Sequence, residues 1–352
     1  MTHIRVRELS GPLAVPMLLH VIGFGAVLFV IIPQHLKVGN QVFGLGLAVT
    51  AYLFGLRHAF DPDHIAVIDS STRTLGVTGK RPKTIGLWFA LGHSSIVLLL
   101  SALVMWATSV ASLLFDDESN AHKVLGIVGT SISGGFLILL GLINFAALID
   151  IWRAWQAMRA GRYNEDIFNE MLDKRGFMAR VLTPFLGRIA KPWHIFSIGF
   201  LFGLGFDTAS EIALLVLAGT GAASGASWYA TLSLPIVFAA GMSLMDTLDG
   251  VFMAEAYDWA FAKPVRKIFY NLSITGLSVA VALVIGGIEV LQVLHQRFDL
   301  NWPGIDFIAG MQLDQVGYLV IGMFVVTWIG AYAVWRFGKL DSRWDVRPAQ
   351  RE

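Results

Sequence analysis

Two imidazoles and two carboxylates fall within one short run, Arg57-His58-Ala59-Phe60-Asp61-Pro62-Asp63-His64. That donor set suits a borderline divalent metal: imidazole binds nickel, cobalt, copper and zinc, whereas magnesium and calcium prefer oxygen alone. On an unbroken helix His58, Asp61 and His64 fan over roughly 120° of one side, with Asp61 central and Asp63 nearly opposite it. Pro62 alters this picture. It lacks the N–H that would bond the carbonyl of His58, and it disfavours helical geometry at Asp61. A local break there frees backbone oxygen and lets Asp63 turn inward. Ligation needs neutral imidazole and ionised carboxylate, so binding should weaken as pH falls and should displace protons. Asp63 or Asp207 can instead hold Arg57 in an ion pair, and a carboxylate outside the ligand set can orient an imidazole.

Further donors lie far along the chain. His93 sits in Leu91-Gly92-His93-Ser94-Ser95; Asp207 precedes Glu211 by four residues and Asp246 precedes Asp249 by three, so each acidic pair shares a helix face. Thr208 and Thr247 directly follow two of these aspartates and can hydrogen-bond them. These groups either complete a metal site, line a pathway or carry protons. The plainer readings are a hydrogen-bonded packing histidine at 93 and interfacial, solvated carboxylates at Glu211 or Asp249. His20 and Glu289 read as packing or secondary polar contacts, and His35, His122 and His295 as solvated loop residues. With no cysteine, disulfides, thiolate sites and iron–sulfur clusters are excluded.

The elements that must hold these groups are membrane helices. The chain of 352 residues is 55% hydrophobic and 14% charged, with a mean hydropathy of +0.65, so lipid is its solvent. A net charge of +1 leaves no nucleic-acid footprint. A span needs roughly 20 apolar residues, and eight stretches qualify: 12–32, 42–70, 84–114, 124–151, 194–219, 228–256, 268–294 and 316–336. The first is read as a retained helix rather than a cleaved signal. The expected architecture is an all-α integral membrane protein, one polytopic domain over 1–352 with a cytoplasmic loop at about 152–192. Basic residues fix its orientation. Lys37, Lys123 and Arg297 stand alone on one set of loops, Arg57 lies within a span, and the remaining 22 fall on the other set, which places that loop and both termini in the cytoplasm. The second stretch would reach roughly 43 Å against a core near 30 Å, so it must tilt, break or protrude.

An ionisable side chain at mid-membrane costs on the order of 2.5 to 3.5 kcal/mol, so the ten charged or imidazole groups placed inside four spans need mutual pairing or a bound cation. An internal echo links two of those spans to two others. Leu53-Phe54-Gly55-Leu56 matches Leu201-Phe202-Gly203-Leu204, and Ala90-Leu91-Gly92-His93-Ser94 resembles Ala239-Ala240-Gly241-Met242-Ser243. Helix two should run outside to inside and helix five the reverse, so helices 2–4 and 5–7 form an expected inverted repeat, an arrangement that places transporter sites at the repeat interface.

His58-x4-Asp63-His64, Leu91-Gly92-His93-Ser94-Ser95, Leu204-Gly205-Phe206-Asp207-Thr208-Ala209-Ser210-Glu211 and Gly241-Met242-Ser243-Leu244-Met245-Asp246-Thr247-Leu248-Asp249-Gly250 together resemble the motifs of the nickel/cobalt transporter family, over essentially the whole chain. The resemblance implies a high-affinity permease of the bacterial cytoplasmic membrane that brings in Ni2+ or Co2+ as cargo, with no resident cofactor. It implies metal recognition by His58, Asp63 and His64, with Asp61 beside them and His93 contributing. Pro62 departs from the alanine usual there. Two other readings are weaker. A membrane metalloenzyme would want a His-Glu-x-x-His motif, which is missing, and efflux relatives often carry a histidine-rich loop, whereas 152–192 holds no histidine. No phosphate-binding loop is present, so coupling to protons or membrane potential is expected.

Overall fold

The computed structural model describes residues 6–38, 41–76, 83–106, 120–159, 191–204, 213–219, 227–261, 264–298, 302–310 and 313–337. Its helices are α1 (Val6–Ala26), α2 (Leu45–His58), α3 (Pro62–Gly76), α4 (Ile85–Trp106), α5 (Asn120–Arg159), α6 (Ile195–Phe202), α7 (Trp228–Phe261), α8 (Pro264–Phe298), α9 (Pro303–Ala309) and α10 (Leu313–Phe337). α1 continues through a π turn, Val27–Ile31, and a 3-10 turn, Ile32–Gln34. The all-α expectation needs one small amendment, a two-residue antiparallel pair in which Lys37 faces Val42 and Val38 faces Gln41.

Among the described residues five helices are long and apolar enough to cross a membrane: Ser10–Gln34, Ile85–Trp106, Gly126–Arg153, Trp228–Tyr257 and Leu272–Phe298. Shorter apolar helices cover Pro192–Phe202 and Gly322–Ala331. The expected second span does not qualify as one helix, because it is two, of 14 and 15 residues, parted at Ala59–Asp61. The surface is that of a protein dissolved in lipid. Phe29, Val21, Val326 and Phe337 are widely exposed, while His58, His64, Asp69, His93, Asp246 and Glu289 are buried. Water would favour the opposite arrangement.

Glycines bring the central helices into backbone contact. A Cβ on Gly55 of α2 would lie 2.0 Å from the carbonyl oxygen of Phe238 in α7, and one on Gly241 would lie 2.7 Å from that of Tyr52. The same contact recurs between α6 and α4, where Gly199 would meet the Phe89 carbonyl at 2.1 Å and Gly92 that of Phe196 at 2.0 Å. Roles are exchanged between the two seams: Gly55, Tyr52, Phe238 and Gly241 correspond to Gly199, Phe196, Phe89 and Gly92. Ring contacts follow the same exchange, His58 on Phe238 at 5.5 Å and Phe202 on Phe89 at 5.6 Å. The Leu-Phe-Gly-Leu echo in the sequence is therefore one helical turn out of step with the packing, which matches Gly55 to Gly199 and not to Gly203.

Directions follow from the contacts. His58 touches Phe238, His64 touches Asp246, and Gly250 faces Ile68, so α2–α3 and α7 advance together. Gly199 meets Phe89 and Gly203 meets His93, so α6 and α4 advance together. Gly86 meets Asp246 while His93 lies among residues that touch Phe238, so α4 and α7 are antiparallel. α2 and α6 thus run in opposite directions.

Gly86 shows how tight this packing is, since an added Cβ would stand 1.7 Å from the carbonyl oxygen of Asp246. That oxygen belongs to a buried helix and cannot step aside. Gly86→Ala is expected to cost about 3 kcal/mol, the upper end for overpacking, while Gly135→Ala, which meets nothing within 4 Å, gains up to about 1 kcal/mol of helix propensity. Thermal melts of the two purified variants in detergent check this. Equal midpoints would refute the backbone contact.

Candidate metal site

The site is built around the break in the second stretch. α2 tightens as it ends, with Phe60 N–H donating to the Arg57 carbonyl at 2.9 Å and Asp61 N–H to that of His58 at 3.0 Å. Pro62 opens α3, where its missing N–H costs nothing, and the Asp61 carbonyl accepts the first bond of α3 from Ile65 at 3.3 Å. The proline thus breaks the helix as its chemistry predicts. His58 is left on the last turn of α2 and His64 on the first turn of α3, so the two rings converge on one point rather than fanning along a single helix.

His93 meets them from the middle of α4. Its Nε2 lies 2.8 Å from Nε2 of His58. Ring centroids are 4.7 Å apart for His58–His64, 4.7 Å for His58–His93 and 4.9 Å for His64–His93. One nitrogen from each ring falls within 4.8 Å of the others, and the three side chains are 1%, 0% and 3% exposed. With metal–nitrogen bonds of about 2.0 to 2.1 Å, adjacent ligand nitrogens stand about 3 Å apart. The His58–His93 pair, at 2.8 Å, is already at that spacing, and closing on an ion asks the wider pairs to draw in from within 4.8 Å by up to about 1.8 Å.

Two carboxylates stand behind these rings. Asp61 Oδ2 is 2.9 Å from Nδ1 of His58, a close polar contact without the alignment of a full hydrogen bond. Nδ1 of His64 faces Asp246, at 3.2 Å from Oδ2 and 3.4 Å from Oδ1. Holding Nδ1–H of His64 against a carboxylate turns its Nε2 lone pair inward, and that Nε2 is buried with no hydrogen-bond partner among the described residues. A buried imidazole nitrogen left in that state is what an incoming cation would satisfy.

The other residues singled out in the sequence fall in different places. Asp63 is buried on the first turn of α3, beside His64. Arg57 is exposed on α2, next to His58. Asp249 lies one turn beyond Asp246 on α7, within electrostatic reach of both Asp246 and Asp69. Asp207 and Glu211 lie outside the described residues. Sequence reasoning missed Asp69, which is fully buried on α3 and accepts hydrogen bonds from Tyr257 and Ser278. Its signal was the spacing of five from His64, just inside the end assigned to the span.

Residues 44–334 match the NicO family, described as high-affinity nickel-transport proteins. The chain is 48% identical over 336 residues to the nickel transporter NicT of Mycobacterium tuberculosis, covering 95% of this chain and 90% of that one. It is 42% identical over 336 residues to the nickel transporter NixA of Staphylococcus aureus, covering 94% and 95%. Identity to the cobalt transport protein NhlF of Rhodococcus rhodochrous is 35% over 332 residues, covering 92% and 91%. No solved structure gives a significant match. Kinship that runs nearly from end to end, through every helix that carries a site residue, leaves one conclusion: the chain belongs to the NicO family of high-affinity nickel-transport proteins.

Proposed function

We propose that this protein carries Ni2+ inward across the cytoplasmic membrane, with Co2+ as the second cargo, and that the ion is held by His58, His64 and His93. The observation that carries the reading is the convergence of three buried imidazoles on one point. Imidazole selects late first-row divalent ions over magnesium and calcium. The carboxylates of Asp61 and Asp246 sit behind two of the rings, and their two negative charges balance the ion in a region where an uncompensated charge is costly. Asp61 thereby acts as a positioning group rather than a ligand, and Asp63 and Asp249 line the route beside the site. The membrane potential supplies the driving force, since 100 mV, inside negative, is worth about 4.6 kcal/mol for a doubly charged ion.

The full protein has eight spans with both termini cytoplasmic, and helices 2–4 and 5–7 are inverted repeats. The reciprocal glycine seams and the opposed directions of α2 and α6 support this. On this reading the site lies where the halves meet, with His58 and His64 from one repeat and Asp246, which faces His64, from the other. The test is uptake of labelled nickel into proteoliposomes holding the purified chain. Uptake should rise with an inside-negative potassium diffusion potential and should be inhibited by excess cobalt far more than by manganese. Uptake indifferent to potential refutes the driving force, and equal inhibition by manganese refutes the imidazole site.

A further inference from the structure

One more donor type stands on α7 at the level of the three imidazoles. On α7 the residues Phe238, Met242 and Asp246 recur at intervals of four, so they share one stripe of the helix, with Met242 midway. Phe238 packs on the ring of His58 at a centroid distance of 5.5 Å, and Asp246 faces Nδ1 of His64 at 3.2 Å. The side chain between them is 0% exposed. By its register on that stripe it stands level with the gap between those two histidines.

Two further observations agree. α4 and α7 are antiparallel with Gly86 against Asp246, and seven residues along α4 from Gly86 comes His93, which is level with the stretch of α7 within a turn of Met242. In the two glycine seams Gly92 and Gly241 play the same part, and the residue following each is His93 in one half and Met242 in the other.

We propose that Met242 adds a thioether sulfur to the imidazoles of His58, His64 and His93, giving the cargo a site of three nitrogens and one sulfur shared between the two halves. The inference rests on the imidazole site proposed above. Thioether sulfur is soft and polarisable, favours nickel over manganese or magnesium, and adds no charge, so Asp61 and Asp246 still balance the ion. The three flexible torsions of methionine let the sulfur close on an ion and withdraw again.

Nickel K-edge absorption spectroscopy of the purified chain in detergent, loaded with one equivalent of Ni2+, tests this. Imidazole scattering plus one sulfur scatterer at bonding distance is expected, with the sulfur lost in Met242→Leu and kept in Met245→Leu. Both changes conserve volume and should leave the protein folded. Nickel affinity of Met242→Leu should fall about tenfold, the lower end of what loss of a metal site's supporting partner costs, and its preference for nickel over manganese should narrow. Imidazole scattering without sulfur in the native protein overturns the thioether and leaves the histidine site standing. Sulfur that survives Met242→Leu, or vanishes in Met245→Leu, also overturns it. Absence of imidazole scattering overturns both.

Discussion

Replacing His58, His64 or His93 singly by alanine is expected to reduce saturable nickel uptake to the background of cells lacking the protein. The loss should exceed the roughly 10- to 100-fold that removing an outer partner of a metal ligand costs, because each substitution deletes one of three converging nitrogens. It also leaves a partner stranded. In His64→Ala the buried carboxylate of Asp246 loses the ring 3.2 Å away, and in His93→Ala the nitrogen of His58 loses its neighbour at 2.8 Å. Initial rates of labelled nickel uptake, normalised to the amount of protein in the membrane, check the expectation. A variant that reaches the membrane at the native level and still takes up nickel with native affinity removes that histidine from the site. His20→Ala is the control: this ring bonds the carbonyl of Pro16 at 2.7 Å and the hydroxyl of Tyr52 at 3.1 Å, away from the triad, and its loss should leave affinity unchanged.

How much of this was legible in the sequence depended on distance along the chain. The break at Pro62 could be read locally, because a missing N–H and a restricted preceding residue are properties of the proline itself. His58 and His64 were legible for the same reason, six residues apart in an otherwise apolar setting. His93 stood out only as a histidine in a long apolar helix, and its role came from packing α4 against the break. The pairing of His64 with Asp246 spans 182 residues and left no local trace. The exposure of Arg57 on α2 was not legible, because a window of hydropathy sees a span but not its faces. The continuity of the second span was misjudged for a similar reason. A 20-residue window averages across Ala59–Asp61, whereas the folded chain makes two short helices there, neither long enough to cross alone. The expectation of a repeat came from a four-residue echo, yet the backbone seams pair Gly55 with Gly199, one turn away, because close packing selects for the glycine and not for the letters around it.

Asp246 gives the second large effect, and it separates charge from shape. Asp246→Asn keeps an oxygen able to accept the Nδ1–H of His64, and it keeps the volume of a fully packed position that is 1% exposed. What it removes is the negative charge behind the ring. A neutral partner makes the imidazole a poorer donor to the ion and leaves one positive charge unbalanced in a low-dielectric interior, so nickel affinity should fall 10- to 100-fold. Asp61→Asn should cost less, because its contact with His58 at 2.9 Å lacks the alignment of a hydrogen bond and its ring is also steadied by His93. The double variant is the decisive one. With both carboxylates gone the ion enters the membrane interior without counter-charge from either half, and the combined loss should depart from the product of the single losses, as expected for groups in one network around one charge. Equilibrium binding of labelled nickel to the purified variants gives the four affinities of that cycle. Losses that simply multiply would mean that each aspartate only orients its own ring, and the balancing of the cation would then have to come from Asp63 or Asp249.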